Sequence, residues 1–398
     1  MNKNLVKLAK EHSDTSVVEK GQEEDGYVAI MVWEPAGKRE YLIPRNEYNA
    51  LVKIESLRID DAEPRTSKDL FIPGVDEDYI FYVAVRGAHV IHYNVRPDYG
   101  KSRKLDNIPD VIKDLEFLES IDISFNEISS IEPLSSLVNL KSINARGNKI
   151  ENVAGIGSTQ LDSLDISMNP IKSFDGVYKA KTLKKLVANL TKPGTLDGIE
   201  KLQKLEYLDV GYSGISSLPK SLKDMGSLKT IDISGNNFDH LPEPLGETSF
   251  LEELSMRNCG MKNIDGIRGI SSLKRLSLCQ NKLSEVPEEI GNLRSLENLD
   301  VSQNELKTLP RSITNLKGLQ RLDASENKID KLPPLCGLSI EHLYFNNNII
   351  RNFSEPFQGL AAKYVSLYSN NEGADERMRL KEALGEDAWI DFSGPDMY

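Results

Sequence analysis

Few residues of this chain have the types and the spacing that catalysis needs. His89 and His92 are the only histidines close together, and Asp78 precedes them. Side chains three residues apart on a strand point to opposite faces, so the two histidines are not expected to share a metal ion. The chain also contains no GxxxxGKS/T, HExxH or GxSxG motif. The sequence therefore predicts that the protein is not an enzyme and holds no metal ion or cofactor.

The cysteines and the N-terminus indicate the compartment. Cys259, Cys279 and Cys336 are an odd number without a CxxC pair, so they predict neither a disulfide framework nor a zinc site. The first residues lack the apolar core of a secretory signal, and no run of about 18 apolar residues occurs. We expect a cytoplasmic protein that does not enter a membrane. The alternative is an effector secreted without a cleavable signal peptide.

The charge of the chain limits the class of partner. Lysine and arginine total 49 against 61 aspartate and glutamate, which gives a formal net charge of -12. This is the wrong sign for neutralising phosphates, so nucleic acid and acidic membrane surfaces are not expected as partners. A negative field speeds association with a positive surface. The composition favours a protein partner with a basic surface, and we expect the chain to be a monomer.

A repeat defines the elements that would position a binding site. The pattern LxxLxLxxNxL first occurs as LESIDISFNEI, from Leu118 to Ile128, and recurs almost to the C-terminus. Its opening residues are Leu118, Leu140, Leu161, Leu183, Leu205, Leu228, Leu251, Leu273, Leu296, Leu319, Ile340 and Ala362. The step of roughly 21–23 residues gives about twelve units. Apolar and polar residues alternate within each unit, which predicts a short strand with residues such as Leu299 and Val301 facing the core.

An asparagine follows most of the strands at a fixed offset. These residues are Asn126, Asn148, Asn169, Asn236, Asn281, Asn304, Asn327, Asn348 and Asn370. An amide side chain can donate to and accept from the backbone of a buried turn, so we expect an asparagine ladder from unit to unit. Cys259 takes this place once, which favours a structural thiol over a reactive one. Thr191 and Ser213 weaken the ladder, and Pro193-Gly194 predicts a kink or a protruding loop, unless the unit has merely drifted.

The connecting segments follow two patterns. In the first unit, apolar residues from Ile128 to Leu140 recur every three positions, as in a 3₁₀ coil. In later units the spacing widens, and Pro287 and Pro310 stand where a helix would begin. The later segments are therefore predicted to be short helices with proline at their first position.

Over residues 105 to 372 the chain resembles the leucine-rich-repeat family. The stretch ISSIEPLSSLVNL is similar to the short-repeat subclass that includes phosphatase regulators. The stretch VPEEIGNLRSLENLDVSQNELKTLPRSITNLKGLQRLDASENKIDKLP is similar to the intracellular subclass that includes Ras-binding scaffolds. The resemblance implies an α/β fold, a solenoid of about twelve repeats with a concave parallel sheet, and protein partners.

The segments on either side of the repeats, which occupy residues 101–372, have their own patterns. Residues 1–25 are predicted to be an extension with a helix and a flexible stretch. Residues 26–100 read as two strands, a helix and a hairpin, a small α+β (ββαββ) domain that packs against the first repeats. Residues 373–398 are predicted to cap the last repeat, with Met378, Leu380 and Leu384 on a helix and Trp389, Ile390 and Phe392 covering the last coil.

Candidate binding residues lie between the inward-facing positions of the strands and form an acidic row. The row reads Asp122, Asn144, Asp165, Val187, Asp209, Asp232, Ser255, Ser277, Asp300, Asp323, Tyr344 and Ser366. Asp209 with Asp232, and Asp300 with Asp323, would present a negative field to arginine or lysine of a partner. The alternative is that aspartate at this position only favours the geometry between strand and turn.

Aromatic residues mark a second candidate patch in the last two units. Tyr344, Tyr364 and Tyr368 occur there with His342 and Arg321. Tyrosine and arginine are common in binding hot spots, because they bury much area and keep a polar tip satisfied. The same residues could instead belong to the C-terminal cap.

These patterns together predict an adaptor or regulator that captures a protein in its concave groove. One alternative is an inhibitor or antidote whose acidic groove mimics phosphate and blocks a partner enzyme. A third possibility is an enzyme whose N-terminal domain uses His89, His92 and Asp78, with repeats that recruit the substrate.

Overall fold

The computed structural model describes residues 18–24, 27–34, 37–56, 82–86, 89–94, 104–158, 160–371, 373–385 and 388–393. Asp78 lies outside these residues. The chain divides into two compact units, Met1–Pro193 and Gly194–Tyr398. In each unit the short repeat strands lie parallel to their neighbours in sequence order. The predicted α/β repeat architecture with a parallel sheet is therefore confirmed.

The first unit begins with an antiparallel sheet and a helix. Its elements are β1 (Val18–Glu24), β2 (Tyr27–Glu34), β3 (Gly37–Pro44), α1 (Arg45–Ser56) and the hairpin of β4 (Tyr82–Arg86) and β5 (His89–Asn94). The two strands, the helix and the hairpin agree with the prediction. The prediction of a helix or flexible stretch over residues 1–25 is wrong for Val18–Glu24, because backbone pairing with β2 outweighs the polar composition. Residues 1–17 lie outside the described part.

The hairpin continues into the repeats of the first unit. These contribute β6 (Ser120–Asp122), β7 (Ser142–Asn144), β8 (Ser163–Asp165) and β9 (Lys185–Val187). Strand β5 pairs in parallel with β6, and the Nδ1 atom of His92 is hydrogen-bonded to the Ser120 hydroxyl. The hairpin thus extends the repeat sheet, where the sequence predicted only packing against it. A domain boundary near residue 100 stays a prediction.

The second unit carries nine strands and one α-helix within its described residues. They are β10 (Tyr207–Asp209), β11 (Thr230–Asp232), β12 (Glu253–Ser255), β13 (Arg275–Ser277), β14 (Asn298–Asp300), β15 (Arg321–Asp323), β16 (Ser339–Tyr344), β17 (Ala361–Ser366), α2 (Ala374–Leu384) and β18 (Trp389–Asp391). Each strand pairs in parallel with the next one along the chain. Equivalent residues of successive repeats therefore lie side by side.

Most of the connecting segments form 3₁₀ helices, in both units. Their bounds are Asp110–Asp114, Glu132–Ser136, Ile156–Ser158, Val177–Lys179, Ile199–Lys201, Lys220–Asp224, Leu245–Glu247, Ile267–Gly269, Glu288–Asn292 and Arg311–Asn315. The 3₁₀ coil of the first repeat is confirmed, and the short helices predicted for later repeats are present as 3₁₀ helices, but the prediction of proline at their first position is wrong. Pro287 and Pro310 precede the helices they introduce, and the Ile290 amide donates to the Pro287 carbonyl over 3.0 Å. A 3₁₀ helix rises farther per residue, so five residues cover the crossing.

The asparagine ladder forms as expected and satisfies buried backbone groups. Asn304 donates from Nδ2 to the carbonyls of Leu278, Val301 and Ser302, and its Oδ1 accepts the Leu283 amide over 3.0 Å. Asn126, Asn148, Asn169, Asn281, Asn327 and Asn348 each repeat bonds of this kind. Because each side chain contacts the preceding repeat, the ladder joins successive repeats within each unit.

Three smaller side chains, Cys259, Thr191 and Ser213, occupy ladder positions with fewer groups to offer. The Cys259 thiol donates to the Ile233 carbonyl over 3.4 Å, and burial raises its pKa. It is therefore a structural thiol and a poor nucleophile. The Thr191 hydroxyl donates to the Ala188 carbonyl over 2.7 Å. The division between the two units falls between Pro193 and Gly194, directly after this departure from the pattern.

The C-terminal segment packs on the last repeat in part as predicted. Leu380 of α2 is fully buried, but Met378 is 62% exposed, so the predicted apolar stripe is incomplete. Glu376 accepts the backbone amides of Phe353 and Ser354 over 2.7 and 2.6 Å, which ties the helix to the preceding turn. Trp389 does not cover the coil. It extends the sheet on β18 and is 72% exposed.

Candidate protein-binding face

Two rows of side chains lie on one face of the sheet in the second unit, and all of them except Ser366 are at least partly exposed. The residue between the two rows, such as Leu322 or Leu343, is buried in β10 to β17 and half-buried in β18. The first row is Tyr207, Thr230, Glu253, Arg275, Asn298, Arg321, His342, Tyr364 and Trp389. The second row is Asp209, Asp232, Ser255, Ser277, Asp300, Asp323, Tyr344, Ser366 and Asp391. We call this surface the outer face.

The four predicted aspartates lie in the second row, and each closes the turn that follows its strand. Oδ1 of Asp209, Asp232, Asp300 and Asp323 accepts the backbone amide two residues further on, over 2.9 to 3.2 Å. The geometric role predicted for aspartate in this row is therefore present, and a binding role for these four residues stays a prediction. In two of these aspartates the other carboxylate oxygen also has a partner. Asp300 Oδ2 accepts from the Ser277 hydroxyl, and Asp323 Oδ2 lies 3.3 Å from Arg321.

Four rings gather at the C-terminal end of the outer face. His342 stacks on Tyr344 with ring centres 6.4 Å apart, and Tyr344 lies 5.5 Å from Tyr364. Trp389 meets Tyr364 edge-on at 5.7 Å. We call these residues the aromatic cluster. The rings span three neighbouring strands, so the parallel register brings together residues that are far apart in sequence.

An arginine borders the aromatic cluster. The guanidinium carbon of Arg321 lies 4.3 Å from the centre of the Tyr344 ring. At the other side, the Tyr364 hydroxyl donates to Asp391 Oδ2 over 3.3 Å. Burial raises the pKa of Tyr364, and the negative charge of Asp391 raises it further, so the phenol keeps its proton and remains a donor.

The structure brings together most, but not all, of the predicted aromatic patch. Tyr368 follows the strand, is half-buried, and its carbonyl accepts the Asn347 amide over 2.9 Å. It lies outside the aromatic cluster. Trp389 belongs to the cluster although the sequence placed it in the cap, because Trp-Ile-Asp lacks the repeat motif. The available signal was the position of Ile390 between Trp389 and Asp391, which matches the alternation of core and surface residues in the repeat strands.

The middle of the outer face is charged but internally paired. Arg275 forms an ion pair with Glu253 on the adjacent strand, which raises the pKa of the arginine. Beside the strands, Glu252 lies 2.8 Å from Lys274 and 3.4 Å from Lys229. Paired charges of this kind are solvated and contribute little to recognition. The aromatic cluster is therefore the more distinctive part of the surface.

No group of three or more histidine, cysteine, aspartate or glutamate side chains has a metal-binding arrangement in the ranges given above. None of the helices in this part of the chain combines the length and the apolar character needed to cross a bilayer. Cys279 is buried, and burial raises its pKa, whereas Cys336 is exposed.

Comparison with known proteins agrees with the repeat geometry. A family model described as a leucine-rich repeat region matches residues 243–354, and a model described as Leucine Rich Repeat matches residues 227–247. A solved leucine-rich-repeat protein of Leptospira interrogans is 26% identical, with a TM-score of 0.58 over 73% of this chain and 82% of that chain. The chain thus has a leucine-rich-repeat fold, and its residues 227–354 match the family in sequence.

Other similarities concern parts of larger proteins or the fold alone. TMV resistance protein N of Nicotiana glutinosa is 37% identical over 62 residues, 15% of this chain and 5% of that protein. The adenylate cyclase of Schizosaccharomyces pombe is 24% identical over 189 residues, 46% of this chain and 10% of the cyclase. The chain thus spans a small fraction of these relatives. A chain in the octameric complex of Latrophilin 3, Unc5D and FLRT2 shares the fold, with 17% identity, a TM-score of 0.51, and coverage of 73% and 87%.

Proposed function

We propose that this protein binds a protein partner through the outer face of its second unit, with the aromatic cluster at the centre of the contact. The observation that carries the proposal is the contiguity of His342, Tyr344, Tyr364 and Trp389 on three strands. Aromatic rings that keep a polar tip are the residues on which interfaces most depend. Arg321 adds a side chain of the other type enriched there.

The comparisons support binding in general. The octameric complex contains the leucine-rich-repeat domain of FLRT2 with two other proteins, which is an assembly of the kind proposed. The same proposal includes a role as adaptor or regulator, the absence of catalysis, a monomeric state and a cytoplasmic location. The aspartates bonded to their own turns favour an adaptor over an inhibitor that mimics phosphate.

The test is capture of partners from a lysate of the organism that encodes the chain. The intact protein is compared with a Tyr344→Ala, Tyr364→Ala double variant. The matched control is Tyr212→Ala, which removes an exposed ring outside the aromatic cluster. We expect the double variant to lose a partner that the control retains, with a loss of affinity above about 2 kcal/mol. Equal capture by the three proteins would place the binding surface elsewhere.

A further inference from the structure

The outer face already holds one arginine side chain in a defined setting. Arg321 stacks on Tyr344 at 4.3 Å, and its Nη1 donates to the Tyr344 hydroxyl over 3.1 Å. Its Nη2 lies 3.3 Å from Asp323 Oδ2. An aromatic face, a hydroxyl and a carboxylate thus contact one guanidinium on this surface. These are the groups that arginine uses in recognition, because its planar fork can stack and donate hydrogen bonds at once.

The same set of groups recurs at the end of the sheet. The register aligns Arg321 with His342, Tyr364 and Trp389, and it aligns Asp323 with Tyr344, Ser366 and Asp391. Trp389 and Asp391 therefore occupy in β18 the positions of Arg321 and Asp323 in β15. The hydroxyl is supplied by Tyr364, which donates to Asp391 over 3.3 Å. Here a tryptophan stands at the place where β15 carries its own arginine.

Trp389 presents a large aromatic surface to solvent. The side chain is 72% exposed, and it contacts Tyr364 edge-on. Within the described residues, the cations stacked on a ring are Arg321 on Tyr344 and Arg377 on Phe392, and neither stacks on Trp389. Tryptophan is the aromatic side chain that attracts cations most strongly. The indole face is thus open to a cation from another molecule.

We propose that Trp389, Tyr364 and Asp391 bind an arginine side chain in an exposed segment of the partner protein. The proposal rests on the function proposed above and names the chemistry of the partner. Charge complementarity supports it, because the chain carries a formal charge of -12 and attracts basic segments. Arginine is favoured over lysine, since a compact ammonium stacks less well on an indole and lacks the fork that a carboxylate accepts.

The proposal is tested with two synthetic peptides as probes, (Gly-Arg)4 and (Gly-Lys)4, titrated calorimetrically into the full chain at low salt. We expect the arginine peptide to bind about threefold or more tightly than the lysine peptide. Trp389→Ala and Asp391→Asn should each weaken the arginine peptide by about threefold to tenfold. Asparagine retains an oxygen that can accept the Ser393 amide, as Asp391 Oδ1 does over 2.9 Å.

Asp165→Asn is the matched control for the loss of charge. Asp165 accepts the Ser167 amide over 2.9 Å, so the same turn bond is preserved while one negative charge is removed from the first unit. The control should bind the arginine peptide within about twofold of the unchanged protein, because Asp165 contributes no group to the proposed site and a single solvated surface charge has a small effect. Equal affinity for the two peptides, or equal weakening by Asp165→Asn and Asp391→Asn, would overturn the proposal in favour of general electrostatic attraction.

The same variants distinguish this inference from the proposed function. If Tyr344→Ala with Tyr364→Ala abolishes partner capture while the arginine peptide shows no preference, protein binding stands and the arginine site is overturned. If the arginine peptide binds as expected while partner capture is unaffected by the double variant, the arginine site stands and the proposed function is overturned.

Discussion

The guanidinium of Arg321 lies over the Tyr344 ring at 4.3 Å while its Nη1 donates to the Tyr344 hydroxyl over 3.1 Å. Both residues lie on the exposed side of the sheet, where a cation and a ring contribute only about 0.5–1 kcal/mol. The contact therefore contributes little to the stability of the fold. It does cover the ring that a partner would use, so Arg321 competes with any cation that approaches Tyr344.

Removal of this competitor should create a second site. In Arg321→Ala, the Tyr344 ring and the Asp323 carboxylate become accessible, and the stability of the chain should change by less than about 1 kcal/mol. We expect the number of (Gly-Arg)4 peptides bound per chain to rise from one to two in calorimetric titration. Arg311→Ala, which removes an exposed arginine from a 3₁₀ helix, serves as the control. A stoichiometry unchanged by Arg321→Ala would contradict this view.

The asparagine ladder allows a graded test of stability. Asn304→Ala removes four hydrogen bonds and takes away the acceptor of the buried Leu283 amide, while the carbonyls of Leu278, Val301 and Ser302 keep donors in Asn281, Asn327 and the Gln280 amide. We expect a loss of about 2–4 kcal/mol in the free energy of unfolding. Cys259→Ala should cost about 1 kcal/mol, because a thiol is a weak donor and the side chain is small. Urea denaturation followed by circular dichroism measures both, and equal losses would refute the ladder's role.

The repeat architecture could be predicted from sequence because its signal is periodic. Leucines such as Leu296 and Leu319 recur at one offset and are buried, and asparagines such as Asn304 and Asn327 recur at another and hydrogen-bond to the preceding repeat. The 3₁₀ character of Glu288–Asn292 could not be predicted from the periodicity of the sequence. An apolar spacing of three to four residues fits an α-helix and a 3₁₀ helix equally, and only the hydrogen-bond geometry separates them.

The candidate site could be predicted only in part. Tyr344, Tyr364, His342 and Arg321 occupy repeat positions, so counting from the motif places them on one face. Trp389 follows a helix and lacks the motif, and only strand pairing shows that it lies beside Tyr364. The turn-closing bonds of the aspartate row rest on distances from carboxylate to backbone amide, which a sequence pattern does not contain.

Gly235 provides a test of close packing at the edge of the sheet. Its φ of 66° is left-handed, and a Cβ there would lie 2.3 Å from the Tyr212 ring. Gly214 has a φ of 71° with open space around it. We expect Gly214→Ala to cost about 1–2 kcal/mol from backbone strain alone, and Gly235→Ala to cost more.

A double-mutant cycle separates strain from the clash. Combined with Tyr212→Ala, the Gly235→Ala substitution should cost no more than Gly214→Ala, because the ring that a methyl group would meet is gone. Thermal or urea unfolding of the four proteins supplies the coupling free energy. A coupling near zero would show that Tyr212 moves aside without cost.

The attachment of α2 to the last repeat should depend on pH. Burial raises the pKa of Glu376, but the backbone amides of Ser354 and Phe353 that donate to its carboxylate lower the pKa more, and the net result is a pKa below the ordinary value. A depressed pKa in the folded state means that the stabilisation is complete above the ordinary carboxyl pKa. It is lost as the pH falls through the folded-state pKa.

Glu376→Gln should therefore destabilise the second unit at neutral pH by about 1 kcal/mol, a value reduced by the partial exposure of the side chain. The difference between the two proteins should shrink as the medium becomes acidic, because protonated Glu376 and glutamine are both neutral. Hydrogen exchange at the amides of Phe353 and Ser354 reports the local effect, and Glu382→Gln, on the exposed side of the same helix, is the control. If the gap in stability were the same at neutral and acidic pH, the carboxylate charge would not be what holds α2 to the turn.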